Sequence, residues 1–346
     1  MIRESEGPPR MMISENDEVL ELEWRNPFPH DHVIWYTENC NTYNGVSFIK
    51  TDLNRSKNLY LWNPTTGEIK RIPRPPFLDL PRPSETKLIT MCGFGGDPDT
   101  TDFKVFFAFT IAIDTSDPFD EDNFASCLSY LQSSYELYTL STNTWTLLDL
   151  VLPVECNSHT HEHGFYCNGG LHWACLDGKN ENEDCILRFD FRNNQFTAID
   201  LPSRFRISSS NFAEINDSLA IVKKSTIHPP YTNLDIWTLE QDTCCWTKKY
   251  IFEPVRLWHT YHFWKDGPEL LASHGRDIYS RYLVSYHPDG HIVRHFEQVT
   301  FHDRNGVDNP VLKLVGTVAV KKVVVIKYFF LIPFRVVVSD FHQHIL

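Results

Sequence analysis

The sequence lacks the short motifs that mark the most common phosphate-binding and hydrolytic sites. It contains no G-x-x-x-x-G-K-[ST] phosphate loop and no G-x-S-x-G nucleophile elbow. Gly93-Phe-Gly95 begins like a dinucleotide-binding fingerprint, but Pro98 occupies the third glycine position, and a strand pattern rather than a helix follows. These absences remove the usual sequence signals for an enzyme.

Basic residues are also scarce relative to acidic ones. The 346 residues include 32 Lys and Arg against 45 Asp and Glu, a formal net charge of −13, and no basic stripe is visible. A protein that binds nucleic acid without sequence preference needs basic surface to displace counterions from phosphate. We therefore expect no nucleic-acid partner.

Targeting and membrane signals are missing as well. The nine cysteines form an odd set without a C-x-x-C pair, and no apolar segment of the secretory type stands at the N-terminus. These features favour a reducing compartment, the cytoplasm and/or the nucleus. Residues 318–338 are strongly apolar, yet charges and a proline interrupt them, so no membrane span is expected. The interrupting residues are Lys321, Lys322, Lys327, Pro333 and Arg335.

What the chain does contain is a repeated hairpin pattern. Five times, a short apolar strand ends in an aromatic residue, a polar turn follows, and a second apolar strand begins. The copies lie at 59–69, 135–145, 186–196, 234–246 and 283–293, and their anchors are seven residues apart in four copies and nine in the fourth. Apolar residues alternate within each half, which is typical of half-buried strands joined by a tight turn.

The distance between copies predicts the fold. From one aromatic anchor to the next the steps are 51, 48 and 49 residues after a longer first step of 76, and a second partial hairpin precedes most copies. Two hairpins per period make four strands, the content of one kelch-like propeller blade. We predict an all-β, propeller-like array of about five to six four-stranded blades that need not be regular or fully closed.

The aromatic anchors recur in register, which favours packing between blades over a ligand-binding role. We interpret them as structural repeat anchors: Trp62, Tyr138, Trp145, Phe189, Phe196, Trp237, Trp246 and Tyr286.

The chain divides into three parts. Residues 1–40 form a polar N-terminal segment, and residues 41–300 carry the repeats. Residues 301–346 contain apolar strands that complete the last blade or form a divergent tail. An acidic insertion at 114–122 accounts for the long first step, and with 180–184 and 228–231 it forms a set of candidate recognition loops.

The sharpest chemical feature is a run of three alternate histidines, His159, His161 and His163. Alternate residues of a strand face the same side, so the three imidazoles could converge on Zn²⁺ or Cu²⁺. Runs of this kind are more often polar loops that enter a strand, and this run leads directly into Phe165 and Tyr166. We therefore assign no metal or cofactor, and keep the three histidines as metal candidates of low rank.

Several segments resemble, in order, the F-box-associated domain of plant F-box proteins. They are LWNPTTGEIKRIP at 61–73, GFGGDPDTTDFKV at 93–105, YELYTLSTNTW at 135–145 and CNGGLHW at 167–173. Later strands at 186–191, 234–237 and 245–248 also match, so the resemblance covers about residues 40–300. No F-box is recognisable in residues 1–44.

The resemblance implies a non-catalytic protein-interaction domain that holds a target protein for a Skp–cullin–F-box ubiquitin ligase. Its implied partners are an unidentified target on a propeller face, a Skp-type adaptor and a cullin. The alternative is a propeller-type enzyme, or a metal- or ligand-binding protein, that uses the run His159, His161 and His163.

Overall fold

In the part of the chain that it describes, the computed structural model consists mainly of short apolar strands. Turns rich in Asn, Asp and Gly separate these strands. The described residues are 11–15, 18–22, 37–53, 56–63, 66, 68–81, 86–114, 128–154, 158–159, 163–176, 184–202, 205, 207, 210–228, 231–240, 245–256, 259–263, 268–275, 281–301, 322–324 and 336–337. Within these ranges, no helix is long and apolar enough to cross a membrane.

Each sheet consists of strands that follow one another along the chain, apart from the sheet of the terminal strands. The N-terminal strands are β1 (Met11–Glu15) and β2 (Glu18–Leu22); blade 1 is β3 (Thr37–Tyr43), β4 (Val46–Leu53), β5 (Ser56–Trp62) and β6 (Ile69–Ile72); blade 2 is β7 (Thr86–Gly96), β8 (Phe103–Asp114), β9 (Leu128–Thr139) and β10 (Thr144–Leu148); blade 3 is β11 (Ser158–His159), β12 (Phe165–Cys167), β13 (Gly170–Leu176), β14 (Cys185–Asp190) and β15 (Gln195–Asp200). Blade 4 is β16 (Ser210–Ile215), β17 (Ser218–His228), β18 (Tyr231–Glu240) and β19 (Cys245–Arg256); blade 5 is β20 (His259–Phe263), β21 (Leu270–Gly275), β22 (Arg281–Tyr286) and β23 (Ile292–Phe301); the C-terminal strands are β24 (Lys322–Val324) and β25 (Val336–Val337).

These strands form a five-bladed β-propeller, which confirms the predicted fold class. In every blade the strands pair antiparallel in sequence order, with β11 and β12 both pairing with β13 in blade 3. The short 3₁₀ helix Pro76–Asp79 lies in the link between blades 1 and 2. Two hairpins per period, read from the sequence, are therefore the four strands of one blade.

A sixth sheet combines the two ends of the chain. Its order is β2-β1-β24-β25, so the C-terminal strands pair with the N-terminal ones, and β25 lies beside β3 of blade 1. The four strands of blade 5 all come from residues 259–301. The strands of the five blades thus begin at Thr37 and end at Phe301.

The register of the repeated hairpins follows the sequence spacing in three copies. Trp62 lies opposite Ile69, Tyr138 opposite Trp145 and Phe189 opposite Phe196, each pair seven residues apart. In the fourth and fifth copies a bulge shifts the pairing, so Trp237 faces Lys248 and Tyr286 faces Ile292. A bulge adds one residue to one strand, which constant spacing cannot reveal.

Buried side chains form one apolar layer between each pair of consecutive blades. The four layers join blade 1 to blade 2, blade 2 to 3, blade 3 to 4 and blade 4 to 5. Strands of the middle blades therefore bury both faces, and β8 shows how. Its alternate residues Val105, Phe107 and Phe109 pack toward blade 1, whereas Phe106 and Ala108 pack toward blade 3. A run of consecutive apolar residues is the sequence pattern of such a strand.

Two tryptophans add the same hydrogen bond at different blade junctions. Trp145 of β10 donates from Nε1 to the carbonyl oxygen of Pro73, just after blade 1, at 2.8 Å. Trp246 of β19 donates in the same way to Asp200 at the end of blade 3, at 2.7 Å. Each outer-strand indole thus connects its blade to the preceding one and satisfies a backbone carbonyl.

Phe106 provides a test of the packing between blades. Its side chain is fully buried, with its ring centroid 4.2 Å from that of Phe189 and 5.6 Å from that of Phe196. Phe106→Ala should lower the free energy of unfolding by about 3–5 kcal/mol in urea denaturation, because it removes a large buried ring and leaves a cavity. Val293→Ala, on an exposed part of β23, should change it by less than about 0.5 kcal/mol. A loss for Phe106→Ala no larger than that of the control would contradict the assignment.

Candidate functional site

The order of strands sorts the connections of the propeller onto two faces. In a sheet of four sequential antiparallel strands, successive connections alternate between the two ends. We call turn face the end that carries the first-to-second and third-to-fourth strand connections of each blade. We call loop face the end that carries the second-to-third strand connections and the links between blades.

The turn face is built from short turns with left-handed backbone. Two-residue turns join β3 to β4 at 44–45, β12 to β13 at 168–169 and β16 to β17 at 216–217. Positive φ angles occur here mostly at Asn and Gly, which tolerate this conformation. The positions are Asn44, Gly45, Thr101, Asn143, Asn168, Gly169, Asn194, Asn216, Asp217 and Gly290.

Glycines at the end of β7 make room for two tyrosines from neighbouring blades. A Cβ on Gly95 would lie 2.0 Å from Cδ2 of Tyr166, and one on Gly96 would lie 2.2 Å from Cε1 of Tyr43. The two tyrosine rings are 4.6 Å apart, and the Tyr166 hydroxyl donates to the carbonyl oxygen of Gly96 at 3.0 Å. Burial, the largest influence, raises the pKa of Tyr166 above its ordinary value. The Gly-Phe-Gly-Gly segment therefore packs three blades together near the propeller centre.

The acidic residues that follow this segment are also engaged in structure. Asp97 accepts from the Asp99 backbone N–H at 2.9 Å and pairs with Lys104 Nζ at 3.2 Å. Lys104 also donates to the Phe191 carbonyl oxygen of blade 3, at 3.1 Å. Arg192 of blade 3 binds Asp99 through two nitrogens, at 2.6 and 2.9 Å. These contacts join blades 2 and 3 across the turn face.

The structure describes two of the three histidines in the run. His159 belongs to β11, and His161 lies outside the described residues. His163 forms a parallel bridge with Cys92 of β7, and its Nδ1 lies 3.1 Å from the Cys92 sulfur. The structure thus brings His163 to a buried thiol of blade 2. The three histidines therefore stay metal candidates of low rank.

The eight aromatic anchors occupy two environments. Five are buried: Trp62, Tyr138, Phe189, Phe196 and Tyr286. Three are half-buried and pack against the apolar layers: Trp145, Trp237 and Trp246. Trp237 contacts the Phe205 ring and lies under the ammonium group of Lys248, 5.2 Å from its ring centroid. Alternation of apolar residues does not distinguish these two environments, because the exposed fraction of each side chain depends on which side chains of the neighbouring blade pack against it.

The predicted recognition loops all leave the propeller on the loop face. The insertion at 114–122 connects β8 to β9, residues 180–184 connect β13 to β14, and 228–231 connect β17 to β18. Each is a second-to-third strand connection, although most of these loop residues lie outside the described ranges. Five carboxylates and no basic residue fall between 114 and 122, and four carboxylates with one lysine fall between 177 and 184. The acidic loops of adjacent blades therefore leave from one face.

One polar cluster of the turn face was missed by the sequence reasoning. His287, Asp289 and His291 stand at alternate positions of the turn between β22 and β23, and their ligand atoms all lie within 4.8 Å of one another. The sequence contains a signal for this cluster, since His and Asp alternate across a Pro-Asp-Gly turn. The turn falls within the fifth hairpin repeat, whose pattern predicts paired strands and no binding site.

Comparison with known proteins identifies the family. The model of the F-box associated β-propeller domain matches residues 12–306. The chain belongs to this family. The match covers most of the chain and confirms the resemblance read from the sequence motifs.

Individual relatives of this F-box associated domain are distant. An F-box protein of Arabidopsis thaliana is 27% identical over 142 residues, which is 40% of this chain and 32% of that protein. A second Arabidopsis thaliana protein, named among F-box/kelch-repeat proteins, is 25% identical over 124 residues, 35% of this chain and 32% of its own length. The chain thus matches about a third of the length of these relatives.

Among solved structures, TolB from Acinetobacter baumannii is similar with a TM-score of 0.41 and 11% identity. That match covers 82% of this chain and 61% of TolB.

In this F-box associated domain, residues of the family motifs pack and pair within the propeller. The GFGGDPDTTDFKV segment supplies glycines for close packing and charges for junctions between blades. The CNGGLHW segment supplies a turn and the buried Trp173. The connections between second and third strands, which lie on the loop face, differ in length and charge from blade to blade.

His172 gives the domain a defined response to acid. It is 3% exposed, and its Nδ1 donates to the carbonyl oxygen of Phe165 at 3.2 Å. Burial, and then the nearby charge of Arg188, lower its pKa from 6.5 to about 3. Between pH 6.5 and about pH 3, the His172 side chain takes up a proton in the unfolded chain but not in the folded chain. Below pH 6.5 the free energy of unfolding should therefore fall, by at most about 1.4 kcal/mol per pH unit from this residue.

His172→Asn should flatten that pH dependence in urea denaturation between pH 7 and pH 4. His295→Ala, at an exposed position of β23, should leave the slope as in the wild type. If the His172 variant kept the full slope, another group would be responsible.

Glu136 should produce the opposite dependence. The residue is 4% exposed, its Oε1 accepts from the Phe77 backbone N–H at 3.0 Å, and its Oε2 has no hydrogen-bond partner among the described residues. Burial raises its pKa above 4.5. The stability that this group contributes below pH 4.5 is therefore lost as pH rises through its folded pKa. Relative to Glu136→Gln, the wild type should lose stability between pH 4 and pH 8, whereas the exposed Glu68→Gln should show no such trend.

Proposed function

We propose that the chain is a non-catalytic recognition domain that holds a target protein on its loop face for a Skp–cullin–F-box ubiquitin ligase. Membership of the F-box associated propeller family carries this proposal. The names of the Arabidopsis relatives, which include the term F-box, support the connection to the ligase. Catalysis would reside in the ubiquitin-transferring subunits of the assembly.

The loop face is the surface best suited to the target. Rigid blades hold the ends of the strands in place, so connections of different length project side by side from neighbouring blades. Many of the described turn-face residues, by contrast, bind one another. Asp97 and Asp99 pair with Lys104 and Arg192, which compensates their charges. Asp102 accepts a hydrogen bond from the Ser141 backbone N–H at 3.2 Å.

The charge of the loop face indicates the kind of target. The acidic segments 114–122 and 177–184 leave adjacent blades 2 and 3 and together carry nine carboxylates and one lysine. A field of one sign accelerates encounter with a partner of opposite sign and disfavours like-charged surfaces. The proposed target therefore presents a basic patch to blades 2 and 3.

The proposal places the protein in the cytoplasm and/or the nucleus. The odd set of nine cysteines without a C-x-x-C pair supports this compartment. Cys175 is disulfide-bonded, which is uncommon in a reducing compartment.

A pull-down of the full chain from plant extract, followed by mass spectrometry, tests the ligase assignment. Recovery of a Skp-type adaptor together with a cullin is the expected result. If neither is recovered while another protein is enriched above the control beads, the chain acts as a recognition domain outside the ligase, and that part of the proposal fails.

Charge reversal tests the recognition face. Asp117→Lys combined with Asp120→Lys and Glu121→Lys should reduce recovery of the enriched target by about tenfold or more, since it reverses the local field. The effect should weaken in high salt, because screening shortens the range of the field.

A matched triple variant away from the loop face, Glu68→Lys with Glu240→Lys and Glu253→Lys, changes net charge equally. It should preserve target recovery. Equal losses in both variants would show a dependence on total charge and would reject the loop face as the binding site.

A further inference from the structure

The hairpin between β22 and β23 holds three metal-ligating side chains together at its tip. Nδ1 of His287 lies 3.1 Å from Oδ1 of Asp289, and Nδ1 of His291 also contacts that oxygen. The two imidazole rings stack with their centroids 5.1 Å apart. One ring nitrogen of each histidine and one carboxylate oxygen of Asp289 thus converge on a common region.

The backbone keeps this turn in one conformation. The His287 N–H donates to the His291 carbonyl oxygen at 3.0 Å, and the Gly290 N–H donates to that of His287 at 2.9 Å. Gly290 adopts φ +87°, a conformation that side-chain-bearing residues rarely adopt. The Glu253 N–H of blade 4 also donates to the Pro288 carbonyl oxygen at 3.0 Å. The ligand atoms are therefore brought together before any ion binds.

We propose that His287, Asp289 and His291 form a zinc-binding site on the turn face of blade 5. Zinc prefers nitrogen and oxygen ligands of this kind at about 2.0–2.2 Å in tetrahedral geometry. Ligand atoms around such an ion are about 3.3 Å apart, by the tetrahedral geometry of those bond lengths. The separation of 3.1 Å between His287 Nδ1 and Asp289 Oδ1 is close to this value, and all three ligand atoms lie within 4.8 Å of one another.

Three protein ligands leave one coordination position for water. His287 is half-buried, while Asp289 and His291 are exposed, so an ion reaches the site directly from solvent. Because the ligands come from one short turn rather than from several blades, the site should be occupied without any change in the propeller. Bound zinc should stabilise the folded state by mass action.

Zinc titration of the tag-free full chain, after removal of metals with a chelator, tests the proposal. Isothermal calorimetry at neutral pH should show one zinc per chain, and Co²⁺ in its place should give the visible absorption of a tetrahedral site. The variants His287→Ala with His291→Ala, and Asp289→Asn alone, should each weaken zinc binding by more than about tenfold, since loss of even an outer-shell partner costs that much. Zinc should raise the melting temperature of the wild type but not of these variants.

Two control variants complete the experiment. His295→Ala removes an exposed histidine of β23 outside the cluster and should bind zinc as the wild type does. The triple variant His159→Ala, His161→Ala and His163→Ala should also retain binding. Absence of zinc binding by the wild type, unchanged affinity after loss of His287 and His291, or loss of binding only in the His159 triple variant would each overturn the proposal. Melting curves without metal confirm that every variant is folded.

Discussion

Apolar packing between neighbouring sheets is the interaction on which this propeller depends. A four-stranded sheet with two apolar faces is unstable alone, and each blade covers a face of the next. Strand β8 shows the requirement most clearly, because its alternate phenylalanines enter two different layers. Many of the aromatic side chains that the structure describes lie in these layers, where they supply large buried areas.

Polar interactions then set the position of the blades relative to one another. Trp145 and Trp246 donate indole hydrogen bonds across blade junctions, and Lys104 and Arg192 connect blade 2 to blade 3. These bonds give specific partners to three backbone carbonyl oxygens and to the exposed Asp99 carboxylate, and each of them joins two blades. Family motifs that look like ligand-binding signatures therefore serve the scaffold.

The two faces of the propeller differ in construction. The turn face is made of short, hydrogen-bonded turns, whose geometry the strands determine. The loop face carries connections that vary in length without disturbing the sheets, and so it can change charge and shape. Recognition by the acidic loops and zinc binding by the His287 hairpin would occupy opposite faces, so one can be altered while the other stays intact.

The sequence by itself determined the class of fold, the strand pairs of the hairpins and the family. Spacing of seven residues was sufficient for Trp62 with Ile69 and for Phe189 with Phe196, because a regular hairpin has a constant register. The predicted spacings of nine at Trp237 and seven at Tyr286 were wrong about the register, because bulges shift the pairing there. Only the tertiary structure decided that His163 meets Cys92, and that the N- and C-terminal strands share a sheet. Those contacts join residues far apart in the chain, and local periodicity carries no information about which distant strands become neighbours.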